Sequence, residues 1–130
     1  MRTIRSVAPA LAVMLALTVQ AAPVAALVGD PIDTFTHLTA PDLVRRGHRA
    51  TVQVQVAAGH GTPTGTVILV VRRLLGGFFE RFEAPYAGEP RNFTTRRLPL
   101  RGRYRLRARF LPSDPAYAAS ADWDHLRVTP

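Results

Sequence analysis

The sequence predicts an all-β sandwich of about seven antiparallel strands, and three observations carry that expectation. Several segments place apolar and polar residues alternately, one to each side of an extended chain. Clusters of Gly, Pro and Asp recur at intervals of roughly 8 to 12 residues, the rhythm of short strands joined by turns. Past residue 26, no window of useful length places apolar residues at helical spacing. With 130 residues, 47% of them hydrophobic, the chain has material for one small core.

The first 26 residues form a separate element. Arg2 and Arg5 precede an uncharged run from Val7 to Val19, and small residues follow from Ala21 to Ala26. These are the three regions of a secretory signal, and cleavage is expected after Ala26. The apolar run is shorter than the roughly 20 residues that cross a bilayer, and Gln20 and Pro23 interrupt its continuation. A retained anchor from Val7 to Val28 is the alternative; it would still leave the domain facing outward, because Arg2 and Arg5 hold the cytoplasmic side. The expected organisation is therefore a signal peptide over 1–26 and a β-sandwich over 27–130, secreted or associated with the cell envelope.

The strands follow in order. Ala50, Val52, Val54 and Val56 share one face of a first strand, with Thr51, Gln53 and Gln55 on the other. A turn-rich stretch from Ala58 to Gly65 leads into Thr66–Arg73, whose unbroken β-branched run marks a central strand. Gly76-Gly77 reverses the chain into Phe78–Glu83, and Pro85, Gly88 and Pro90 break it before Asn92–Leu98. After Gly102, Tyr104, Leu106, Ala108 and Phe110 face one way, while Arg103, Arg105, Arg107 and Arg109 face the other. The last strand is Trp123–Thr129, with Leu126 and Val128 inward. Tyr104 sharpens the expectation to an immunoglobulin-like sandwich, in which a tyrosine opening a strand after a corner ties its hydroxyl back to upstream backbone.

Composition narrows the chemistry. The absence of cysteine excludes disulfides, thiol catalysis, thiolate zinc sites and bacterial lipidation. All 17 basic residues are arginine, a pattern that reads first as codon usage in a GC-rich genome. Residues 27–130 hold 15 Arg against 9 acids, an excess that favours contact with polyanions.

With these segments in place, the chain resembles the bacterial immunoglobulin-like repeat domains (group 3) of secreted and cell-surface proteins over nearly all of residues 27–130. The resemblance rests on Pro63-Thr64-Gly65-Thr66-Val67 leading into a strand, with Gly47 ahead of the preceding one. It rests also on Leu98-Pro99 before Gly102 and Tyr104, and on Phe110, Pro112 and Asp114 followed by Tyr117 and Ser120. It implies a seven-stranded sandwich, with Gly65, Gly102, Tyr104, Phe110, Pro112, Asp114 and Tyr117 as fold-defining residues. It implies no catalytic residues and no cofactor. The chain departs from the family in holding one domain rather than an array, and in the aromatic, charged segment from Leu74 to Tyr86.

The strongest candidate site is the arginine ladder Arg101, Arg103, Arg105, Arg107 and Arg109, whose spacing stacks guanidinium groups at ~6.7 Å on one sheet face. Guanidinium grips phosphate and carboxylate bidentately, so an anionic envelope polymer or glycan is the expected partner. A solvated outer face, with Arg stems covering Ile68 and Val70, is the competing reading. Nucleic acid is disfavoured because Tyr104 and Phe110 point away from the ladder, and membrane contact is expected only through an uncleaved signal. Phe79 is a candidate glycan contact, while Phe78 and Phe82 are expected inside. Asp122, Asp124 and His125 are not expected to hold a metal, since alternation separates the histidine from the carboxylates, and His37, His48 and His60 are scattered. Ser113 and Ser120 lie in no nucleophile elbow; Ser113-Asp114 reads as turn chemistry, and Asn92-Phe93-Thr94 as a chance sequon. The expected function is thus a non-catalytic exported binding or presenting module, with a ligand-free spacer or degenerate repeat as the alternative.

Overall fold

In the computed structural model, residues 29–130 are described, and they are all-β. The expected signal peptide over 1–26 lies outside these residues. Residues 31–130 form a compact unit whose core is drawn from Leu38 to Val128. The strands are β1 (Thr34–Thr39), β2 (Leu43–Arg45), β3 (Thr51–Ala58), β4 (Gly65–Arg73), β5 (Phe79–Tyr86), β6 (Arg91–Thr94), β7 (Gly102–Pro112) and β8 (Ser120–Thr129). They build an immunoglobulin-like sandwich of a three-stranded sheet, β1-β3-β6, and a five-stranded sheet, β2-β8-β7-β4-β5.

Two expectations are corrected here. The strands number eight rather than about seven, and not every pair is antiparallel, because β2 runs parallel to β8. The extra strand, β2, arises where the chain leaves the small sheet after Thr39, turns at Pro41 and joins the edge of the large one; the Arg127 amide donates to the Asp42 carbonyl at 2.9 Å. Alternation hides β1 because its pattern is inverted. Thr34 and Thr36 face inward while Phe35 is 63% exposed. The buried hydroxyls are satisfied across the sandwich: Thr34 Oγ1 donates to the Ala118 carbonyl at 2.8 Å, and Ser120 Oγ lies 2.7 Å from Thr36 Oγ1.

The expected bounds of β5 and β6 are corrected too. Pro85 does not end a strand, because β5 is the edge of its sheet and pairs only with β4, so no partner needs the missing N–H. In contrast, β6 ends at Thr94, four residues short of the expected Leu98. Thr95 and Leu98 are fully buried beyond it, held by the Leu98 amide to the His48 carbonyl at 2.9 Å.

Valines from β3 and β4 meet Leu106, Ala108, Phe110, Leu126 and Val128 between the layers. Gly65 allows β4 to approach β7 closely: a Cβ there would strike the Leu111 carbonyl oxygen and come within 2.8 Å of Pro112 Cα. Gly102 opens β7 at φ 120°, a conformation that L side chains rarely adopt.

Tyr104 is fully buried and donates from its hydroxyl to the Leu100 carbonyl at 2.7 Å, closing the corner before β7. Burial raises its pKa above the usual tyrosine value, against the lowering effects of that hydrogen bond and of Arg73. A raised pKa means that the folded protein keeps a proton that the unfolded chain releases. Stability from this group is therefore complete below pH ~10 and is lost as pH climbs towards the higher folded value. Tyr104→Phe is expected to cost about 1–2 kcal/mol at neutral pH, from the orphaned carbonyl. It should also flatten the fall in stability above pH ~10, and urea melts at two pH values measure both effects.

Candidate functional site

The outer face of the five-stranded sheet is built by alternation. Since Tyr104, Leu106, Ala108 and Phe110 are fully buried, the intervening Arg103, Arg105, Arg107 and Arg109 of β7 stand outside. Register brings their neighbours into rows. Arg105 lies beside Arg72 on one flank and His125 on the other, Arg107 beside Val70 and Trp123, and Arg109 beside Ile68 and Ala121. β5 completes the rows with Phe79, Arg81 and Glu83.

The tertiary structure therefore gathers more charge than the ladder alone contains. Arg72, Arg81 and Arg127 join the four arginines of β7, and Glu83 is the single acid in these rows. Its carboxylate lies 3.6 Å from Arg81, the only ion pair among the described residues. Such an exposed pair contributes little to stability. Arg101 stands apart from the other four ladder residues: it precedes β7 in a loop at the end of the sandwich, where its carbonyl accepts from Arg73 Nε at 2.8 Å.

Aromatic rings also occupy this face. Trp123 is half exposed, with the guanidinium carbons of Arg107 and Arg105 at 4.8 and 5.1 Å from its ring, a cation–π arrangement that orients both side chains. Phe79 is 55% exposed on the opposite flank, whereas Phe78 is buried and Phe82 packs against the core. Tyr104 and Phe110 are buried away from the ladder as expected, and Trp123 and Phe79 are the rings on this face. Between Trp123 and Phe79 lies a shallow depression of about 330 Å³, floored by Ile68 and Val70 and walled by Arg72, Arg81, Arg105, Arg107 and Arg109. Ile68 is only 8% exposed despite facing outward, because the flanking Arg stems cover it.

Trp123 is the residue that sequence reasoning missed. Its parity was available: with Leu126 and Val128 inward on β8, Trp123 must point outward. The same parity turns Asp122 and Asp124 away from His125. Asp122 accepts the Leu38 amide at 2.9 Å and so pins β1 against β8. Among the described residues, no group of three or more His, Asp or Glu is placed to hold a metal ion.

Residues that the resemblance marks as fold-defining make the following contacts. Asp114 Oδ1 accepts the Ala116 amide at 2.9 Å in the β7–β8 turn, and the Tyr117 hydroxyl donates to the His60 carbonyl at 3.3 Å. Phe110 is fully buried and Pro112 ends β7.

No family model matches the chain, and no curated protein matches it significantly. Among solved structures, the chain is similar to the PKD domain of an M14-like peptidase from a Thermoplasmatales archaeon. The identity is 24%, with 77% of this chain and 95% of that one covered and a TM-score of 0.49. It is also similar to the CARDB domain of a Pyrococcus furiosus protein solved with di-metal ions, at 16% identity over 79% and 97% of the two chains, with a TM-score of 0.48.

Proposed function

We propose that this domain is a non-catalytic binding module of an exported, group 3-like immunoglobulin protein. In this reading it holds an anionic sugar polymer of the cell envelope on the outer face of β5-β4-β7-β8. The observation that supports it most is the depression in which five arginines surround an apolar floor between two exposed rings. Phosphate or carboxylate groups suit the guanidinium forks, and the flat faces of sugar rings suit Trp123 and Phe79. The groove is open and shallow, as a repeating polymer requires.

The test compares the native chain with a variant carrying Arg105→Ser, Arg107→Ser and Arg109→Ser on columns of heparin and of immobilised wall teichoic acid. Native protein is expected to bind and to elute earlier as salt rises, and the variant to lose affinity by roughly 100-fold, about 1 kcal/mol per charged contact. Trp123 emission should change on titration with the same polymers, because the indole lies in the contact. Covering of Ile68 by Arg stems favours a second reading, a spacer whose arginines serve solubility. Equal and salt-insensitive retention of the two proteins, with Trp123 emission unmoved, would establish that reading and remove the first.

A further inference from the structure

The two ends of the sandwich differ sharply in charge. Three loops meet at one end: 46–50 between β2 and β3, 74–78 between β4 and β5, and 95–101 between β6 and β7. In the sequence they are distant and each holds or follows an Arg-Arg pair: Arg45-Arg46, Arg72-Arg73 and Arg96-Arg97. Backbone hydrogen bonds stitch them together. The Gly47 amide donates to the Leu98 carbonyl at 2.8 Å, and the Leu74 amide to the Arg103 carbonyl at 3.0 Å. Arg73 spans two of the loops, donating to the Arg101 and Gly76 carbonyls. None of the three loops contains an acid, Glu80 at the start of β5 being the carboxylate that reaches them by accepting the Arg96 amide at 3.0 Å, and Arg46, Arg49, Arg96, Arg97 and Arg101 are all exposed there. The opposite end leans the other way: Asp33, Glu89 and Asp114 lie in its loops, and Arg91, which opens β6, is the arginine nearest to them.

Apolar side chains project through this basic end. Leu75 is 86% exposed at the tip of the β4–β5 turn, Leu74 is 39% exposed beside it, and Leu100 is 38% exposed. Leu100 lies against the turn, close enough that a Cβ on Gly77 would come within 2.7 Å of its Cδ1. Gly76 and Gly77, both at positive φ, form the turn that carries the leucines out. A soluble polyanion would use the arginines and gain nothing from these leucines. A bilayer surface uses both, with aliphatic tips entering the acyl boundary while the surrounding guanidinium groups reach lipid phosphates.

We infer that the arginine-rich, leucine-tipped end docks on an anionic lipid bilayer, with Leu75 inserted and Arg46, Arg96, Arg97 and Arg101 on the headgroups. This surface adjoins the polymer face at Arg72 and Phe79, but the inference does not depend on that reading. The sandwich would stand upright on the membrane, leaving the outer face of the large sheet open.

The experiment uses residues 27–130, whose core closes within its own strands, and vesicles of phosphatidylcholine with or without 30% phosphatidylglycerol. The protein is expected to sediment with the anionic vesicles only, and less as salt rises. Leu75→Ser should weaken partition roughly tenfold, the scale of one leucine side chain returned to water. Arg46→Ser with Arg97→Ser should weaken it by about fivefold per arginine. The Arg105, Arg107 and Arg109 variant should partition like the native chain, which separates this inference from the polymer reading. Because the chain has no cysteine and one tryptophan, orientation can be read directly. A polarity-sensitive dye on Leu75→Cys should shift to the blue on anionic vesicles while Trp123 emission stays constant. The inference is overturned by absence of partition, by equal partition onto neutral vesicles, or by a Trp123 shift without a dye shift. Head-to-tail oligomers forming in place of vesicle binding, the acidic end of one copy on the basic end of the next, would overturn it equally.

Discussion

Replacing Tyr86 by phenylalanine is expected to lower the stability of the domain by about 3 kcal/mol, although it removes only one oxygen atom. Strand β6 pairs with β3 only from Thr51 to Val54. Beyond that point the open side of β3 would leave the Val56 peptide groups unpaired. The Tyr86 hydroxyl, reaching from β5 of the opposite sheet, fills the gap: it accepts from the Val56 amide and donates to the Val56 carbonyl, both at 3.0 Å. Phenylalanine would keep the packing and orphan both groups inside the protein, at about 1–3 kcal/mol for each. A thermal melt should move down by roughly 15 °C for a domain of this size. An unchanged midpoint would show that water or a rearranged strand satisfies Val56 instead.

Phe110→Ala is expected to cost about 4 kcal/mol, the larger of the two effects. Phe110 is fully buried on β7 and meets the Tyr86 ring edge-on, with centroids 5.9 Å apart and planes at 74°. Its removal opens a cavity between the layers and also releases the ring that carries the Val56 hydrogen bonds. The two substitutions should therefore couple. In a double-mutant cycle the loss from Tyr86→Phe is expected to be about 1 kcal/mol smaller when Phe110 is already alanine. Strict additivity in denaturant titrations would mean that the aromatic contact does not position the hydroxyl.

The parts of the fold that could be read without coordinates are those where side-chain parity and burial agree. In β3, β7 and the second half of β8, aliphatic and aromatic residues recur at every second position, and the structure buries those sets. Tyr104 belongs with them, because its corner is local: donor and acceptor are four residues apart. Legibility fails where a polar side chain is inside or an apolar one outside. β1 turns two threonines inward and a phenylalanine outward. Tyr86 works through a hydroxyl whose partner lies thirty residues earlier, and Pro85 is tolerated only because β5 is an edge.

The candidate surfaces divide in the same way. Alternation of arginine along β7 is a property of one segment, so the four-residue ladder follows from the sequence alone. Trp123, Phe79, Arg72 and Arg81 join it only through antiparallel register with β8, β4 and β5, which sets residues from four segments side by side. The basic end depends wholly on topology, since its arginine pairs and leucines come from loops far apart in the chain. What the sequence determined by itself is the two-layer β class, the faces of its strongest strands and the excess of arginine. What only the tertiary structure decided is which distant residues share a surface. Periodicity encodes the direction of a side chain from its own strand, whereas neighbourhood across strands depends on pairing order and register, which local pattern does not contain.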